Sequence, residues 1–236
     1  MKVVMDSKIV KLFSKVSGPG FEEVMIKLGK NGISVNQGSK DKQRIVQLHI
    51  SKDNEELINY EVKKEISFIV HDINIFLKYF NLFGDEFIEL GFEDDKVILK
   101  GEKKQVEVFT IEEEYFDKNL VRKKDVEFEI TGVKKRKLEE LMKSYNMVNA
   151  EYLQLLKDDK GDLSYVVGEK DVIKGVLKEE IEDVVPVYLS NEFISSIKVL
   201  TEDVVDMHIE ENMVSLKEKT DTFVYIVHTA TVEVEV

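Results

Sequence analysis

The run Glu93-Asp94-Asp95-Lys96-Val97-Ile98-Leu99-Lys100 recurs in pattern as Glu210-Glu211-Asn212-Met213-Val214-Ser215-Leu216-Lys217, at an offset of 117 in a chain of 236 residues. Two further correspondences accompany it. Gly32-Ile33-Ser34-Val35 matches Gly161-Asp162-Leu163-Ser164-Tyr165 with one residue inserted. Ile9, Leu12, Phe13 and Val16 match Leu138, Leu141, Met142 and Tyr145 at an offset of 129. A period of half the chain restricts the fold to two copies of one unit. Any two β-hairpins share some similarity by chance, but here the order of helices agrees with the order of hairpins. Domains of roughly 100–150 residues are the common size, so two fit this length.

Most of each copy reads as strand. β-branched and alternating runs predict strands at Val24–Leu28, Ile33–Val35, Ile45–Ile50, Ile66–Val70, Phe87–Phe92, Val97–Lys100 and Val106–Ile111. In the second copy they fall at Phe128–Ile130, Tyr152–Leu156, Leu163–Val167, Val172–Leu177, Val185–Leu189, Val204–Ile209, Val214–Lys217 and Phe223–Val227. Helical spacing interrupts them four times, at Asp6–Val16, Asp72–Phe83, Lys134–Tyr145 and Ser190–Leu200. Asp72 and Ser190 are suited to N-caps, and Gly84 to a stop. The polar stretch around Glu112-Glu113-Glu114 and Arg122-Lys123-Lys124 carries only a small apolar anchor. It predicts a connector over 113–125 between domains 1–112 and 126–236.

Composition narrows the function classes. The absence of Cys excludes disulfides, a thiolate nucleophile and a Cys-based zinc site. Apolar runs such as Phe68-Ile69-Val70 fall far short of the roughly 20 residues of a membrane span. The start, Met1-Lys2-Val3-Val4-Met5-Asp6, meets charge too early for a signal peptide. The expectation is a soluble intracellular protein with no membrane partner. With 34 Lys+Arg against 47 Asp+Glu the net charge is −13, opposite in sign to a free-standing nucleic-acid binder.

The distribution of that charge says more than its total. The four predicted helices carry +2, 0, +3 and 0, so −18 resides on strands and loops. At about 100° per residue the solvent faces hold Ser7, Lys8, Lys11, Ser14 and Lys15, then Asn74, Lys78 and Asn81. On the third helix they hold Arg136, Glu139, Glu140 and Lys143, with Lys134, Lys135 and Lys137 around its start; on the fourth, Asn191, Ser195, Ser196 and Lys198, with Glu192 at the edge. Two readings stay open: ordinary solvated faces, or one shared surface that contacts phosphates without reading bases. A Debye length of about 8 Å lets near-side lysines outweigh acidic groups across a sheet.

Two tandem units of this order, joined by such a connector, resemble the DNA sliding clamps of the PCNA and T-even phage types. The resemblance is carried by Phe68-Ile69-Val70-His71-Asp72-Ile73-Asn74-Ile75-Phe76-Leu77 with the hairpins to Thr110. Its counterpart is Val187-Tyr188-Leu189-Ser190-Asn191-Glu192-Phe193-Ile194 with the hairpins to Thr229. It implies an α+β fold of duplicated clamp-type domains, each with two helices on antiparallel sheets, closing as a homotrimeric ring around duplex DNA. The subunits would join through Gln105–Glu114 of one and Asp171–Glu180 of the next. It further implies DNA-facing roles for Lys8, Lys11, Lys15, Lys78, Lys134, Lys135, Arg136, Lys137, Lys143 and Lys198. A peptide of a polymerase or clamp loader would dock by Leu120, Val121, Val227, His228, Thr229 and Ala230. Leu120 and Val121 could equally serve only to pin the connector to its own sheet.

Nothing in the sequence points to catalysis, a cofactor or a metal. His49, His71, His208 and His228 are scattered, with no pair at metal-ligand spacing. Asp158-Asp159-Lys160-Gly161-Asp162 lacks the late bidentate Glu of a calcium loop. Ser17-Gly18-Pro19-Gly20 has no Gly-Lys-Ser/Thr after it and reads as a turn. Beside the clamp stand a β-rich interaction or viral assembly protein with no DNA role and, as a third class, an enzyme with an unrecognised site.

Overall fold

The computed structural model describes residues 2–18, 20–93, 95–116, 128–169 and 171–234. It divides into two units. The first is Met1–Arg122 with Thr220–Tyr225, and the second is Lys123–Lys219 with Ile226–Val236.

The first unit opens with strand β1 (Lys2–Asp6) and a helical segment of three parts. A 3-10 turn (Ser7–Ile9) leads into the α-turn α1 (Val10–Phe13), and a second 3-10 turn (Ser14–Val16) follows. The antiparallel strands β2 (Val24–Gly29), β3 (Gly32–Gly38) and β4 (Arg44–Ser51) come next. After β5 (Asn59–Glu61) and β6 (Ile66–Val70) comes helix α2 (Ile73–Asn81), then β7 (Phe87–Glu93), β8 (Lys96–Lys100) and β9 (Gln105–Ile111). The strand order is β4-β3-β2-β6-β9-β8-β7-β1-β5, and residues 223–225 run beside β4. The Tyr60 hydroxyl donates to the carbonyls of Gly29 and Gly32, at 2.8 and 2.7 Å, holding the β2–β3 turn. Burial pushes that phenol up to about 12.

The second unit repeats the series as β10 (Ile130–Lys134), α3 (Lys135–Met147), β11 (Leu153–Lys157), β12 (Leu163–Val167), β13 (Ile173–Lys178) and β14 (Val187–Leu189). Then come α4 (Asn191–Lys198), β15 (Val204–Glu210), β16 (Met213–Lys219) and β17 (Phe223–Ala230). Its strands lie in the orders β13-β12-β11-β14 and β10-β15-β16-β17. These match the β4-β3-β2-β6 and β1-β7-β8-β9 series of the first unit, which has β5 in addition and joins its two series through the β6–β9 pairing. The β7–β8 and β15–β16 hairpins keep the 117-residue offset along their whole length.

Each core forms where the apolar helix faces meet the inward side of the strands. In the first unit Ile9, Phe13, Val16, Ile73, Phe76 and Phe80 are at most 2% exposed. The Phe76 and Phe80 rings meet edge-on at 5.3 Å. In the second, Leu138, Leu141, Phe193, Ile194 and Ile197 are at most 1% exposed. Asp72 caps α2 as its position predicts, its Oδ1 accepting from the amides of Asn74 and Ile75. Ser190 precedes α4 in extended backbone, but its hydroxyl bonds Glu192 and makes no cap bond.

Three strand expectations shift. The strand expected at Phe128–Ile130 starts at Ile130 and continues to Lys134. Gly132, at φ +74, lets the chain bulge between Ile130 and Val133 instead of ending. β14 begins at Val187, directly after Pro186, which has no amide to donate. β1 and β5 answer no predicted strand. Among the described residues no helix is long and apolar enough to cross a membrane.

Candidate nucleic-acid interface

In each unit the two helices are neighbours, α1 with α2 and α3 with α4. Burying their apolar stripes turns the polar stripes outward. Lys8, Lys11, Asn74, Lys78 and Asn81 are exposed on the first unit. Lys134, Arg136, Lys143, Asn191 and Lys198 are exposed on the second, with Lys135 and Lys137 partly covered.

Among the described residues, Lys11, Lys78, Lys134, Arg136, Lys143 and Lys198 form no ion pair. The others are matched at least loosely: Lys8 with Asp6 at 3.8 Å, Lys135 with Glu139 at 3.8 Å and Lys137 with Glu140 at 3.1 Å. The start of α3 is electrostatically unusual. Lys134-Lys135-Arg136-Lys137 crowd its N-terminal turn, which holds no acidic residue and no side-chain cap. A helix N-terminus is already positive and favours anions. Four cations there oppose helix stability and concentrate a field suited to an external anion.

Three polar-face expectations are corrected. Lys15 is 1% exposed, and its Nζ lies 5.4 Å and 5.3 Å from the ring centroids of Phe223 and Tyr225. The 3-10 turn it sits in advances about 20° more per residue than an α-helix, and its ammonium finds two aromatic faces. It has no outward charge for a phosphate. Ser7 is buried with its hydroxyl donating to the Gly84 carbonyl, and Ser196 with its hydroxyl donating to the Glu192 carbonyl at 2.9 Å. Two apolar side chains that the helical wheel does not flag stand exposed on or beside α2: Ile75 at 44% and Leu82 at 50%.

The peptide-docking residues are less well placed for a ligand. Val227, His228 and Thr229 are at most 2% exposed within β17. His228 Nδ1 lies 2.8 Å from Ser215 Oγ, and Thr229 Oγ1 3.3 Å from Ser196 Oγ. Only Ala230 is partly open. Leu120 and Val121 lie outside the described residues, as does the expected connector from residue 117 onward.

Among the described residues several strand edges stand open, including part of β9 in the first unit and β13 in the second. β9 pairs with β8 over residues 105–109 and with β6 only at Thr110 and Ile111. Among the described residues nothing pairs with the same side of residues 105–109, where Phe109 is 68% exposed. β13 ends the four-stranded sheet, preceded by Val172 at 48% exposure. Gly175 in β13 is covered from the neighbouring strand by the Tyr165 ring, whose hydroxyl lies 3.2 Å from Ser144 Oγ.

Among the described residues no group of three His, Asp or Glu side chains could hold a metal ion. The Asp158–Asp162 segment is a hairpin turn. Asp158 Oδ1 accepts from the amides of Lys160 and Asp162, and Oδ2 from the Ser164 hydroxyl. The Ser164 hydrogen bond foremost, then the amides, hold its carboxyl below the usual range.

No protein-family model and no curated protein sequence matches the chain. Solved structures do. PCNA from A. fulgidus, solved with the C-terminal region of FEN-1 bound, superposes with a TM-score of 0.81 at 17% identity, covering 99% of each chain. PCNA from Entamoeba histolytica gives 0.81 at 12% identity and 98% of each chain. PCNA from Thermococcus kodakaraensis gives 0.78 at 15% identity, over 98% of this chain and 99% of its own. The chain has the PCNA-like sliding-clamp fold.

Proposed function

We propose that the protein is a DNA sliding clamp: a non-catalytic homotrimeric ring that encircles duplex DNA and tethers a polymerase to its template. The observation that carries this reading is the end-to-end structural likeness to PCNA, with almost nothing left over on either side. The open β9 and β13 edges support it. A β9 edge on one subunit and a β13 edge on the next can pair head to tail, which satisfies backbone groups that open sheets otherwise expose to aggregation. The helix faces support it too, since cations without protein counter-charges can exchange among phosphates as the duplex moves. Partner peptides would dock near the connector, at Leu120, Val121 and Ala230, and a clamp loader would open the ring. Its place is where the replicated DNA lies: cytoplasmic or nucleoid-associated, the host cytoplasm for a viral protein, or nuclear for a eukaryotic one.

The test is primer extension on long primed DNA by the cognate polymerase and loader. Added protein lengthens the products without raising the rate of primer initiation. Lys11→Ala, Lys78→Ala, Arg136→Ala and Lys143→Ala together reduce duplex affinity and flatten its dependence on salt, by about 0.9 in log–log slope for each phosphate no longer neutralised. Unchanged affinity and unchanged product length in this variant would remove the helix faces from the DNA surface.

A further inference from the structure

On α3, Arg136 and Lys143 are seven residues apart, two helical turns, and share one outward stripe. Glu139 and Glu140 lie between them in sequence and fall about 60° to one side and about 40° to the other. Two carboxylates thus flank a stripe whose cations form no ion pair among the described residues. Each reaches a lysine, Glu139 to Lys135 and Glu140 to Lys137, and each is more exposed than the lysine it meets. Glu139 is 43% exposed against 25% for Lys135, and Glu140 51% against 36% for Lys137. Both carboxylates stand at the surface beside the lysines they meet.

Helix stability gains only a little from these pairs, which offset part of the cationic crowding at the N-terminal turn. α3 is already fixed by buried Leu138, Leu141 and Tyr145. Exposed pairs contribute little, and Lys before Glu at i,i+4 is the weaker orientation. Their effect on an external anion is more direct. A phosphate approaching Arg136 or Lys143 meets a carboxylate within a turn, and Lys135 and Lys137 are partly occupied.

We propose that Glu139 and Glu140 are affinity-limiting residues, built-in competitors that keep the grip of α3 on phosphate weak enough to exchange during sliding. This rests on the reading that α3 faces DNA. Glu139→Gln with Glu140→Gln keeps side-chain size and removes both charges. With the full chain and a short labelled random-sequence duplex, anisotropy over a KCl series gives affinity and salt slope. The double variant binds about three- to tenfold tighter, each removed charge contributing about two- to threefold. Its slope steepens by roughly one to two as Lys135 and Lys137 gain phosphates. Glu139→Asp with Glu140→Asp, which keeps the charges, stays near wild type. The proposal is overturned if the Gln variant matches wild type in affinity and slope while Arg136→Ala with Lys143→Ala still weakens binding. Should wild type show no salt-dependent binding, or should Arg136→Ala with Lys143→Ala leave it unchanged, the DNA-facing reading falls and takes this proposal with it.

Discussion

Lys15 shows how far one side chain can depart from a helical wheel. Its four-carbon stem is buried with it, and its ammonium is held over Phe223 and Tyr225 instead of water. Lys11, four residues earlier, is exposed and has no such partner. The two lysines should therefore separate cleanly by experiment. Lys15→Ala removes stem packing and a desolvated cation–π interaction, lowering stability by about 2 kcal/mol in urea unfolding, while the folded protein keeps its duplex affinity. Lys11→Ala has the converse effect, weaker duplex binding at unchanged stability. A Lys15→Ala protein of normal stability and reduced affinity would mean that Lys15 faces outward.

At the scale of elements, periodicity is a good guide where α-helix or regular strand is the outcome. Leu163–Val167 is a strand end to end as predicted, and Asp72 caps α2 from the position its residue type suggests. The departures have local causes. Val3, Val4 and Met5 in β1 sit between Lys2 and Asp6, too short a run to stand out, and β5 is only Asn59-Tyr60-Glu61. Gly132 carries the chain through a bulge that strand alternation does not mark. The first helix mixes 3-10 and α turns, so a 100° wheel misplaces Lys15 and leaves Leu12 half-buried where Leu141, its repeat partner, is fully buried. The cationic stripe on α3 is legible in the sequence because a long α-helix keeps its period. The burial of Val227, His228 and Thr229 is not, since an alternating strand does not announce which of its faces is covered twice. In the β13 edge, Gly175 carries a specific demand. A Cβ there would come within 2.5 Å of the Tyr165 ring. Gly175→Ala must push that ring off Ser144, with a destabilisation of about 1–3 kcal/mol measurable as a lower urea midpoint. An Ala variant of wild-type stability would show that the ring is not held.

For the whole molecule, the acidic balance of −13 and a DNA-encircling role are compatible because the charges are segregated. Helices bear the basic excess, strands and loops the acid, and screening confines each to its own side. A protein that must surround a polyanion without adhering to it needs weak cations facing inward and repulsion elsewhere. All of this presupposes the trimer, and the trimer presupposes that the β9 and β13 edges pair. Sedimentation equilibrium of the full chain over a concentration series tests that most directly. The account predicts a species of three times 27.3 kDa, about 82 kDa, and predicts that Phe109→Asp on the exposed β9 edge returns it to 27.3 kDa with the fold intact. A mass of 27.3 kDa at every concentration, or a trimer indifferent to Phe109→Asp, would contradict it.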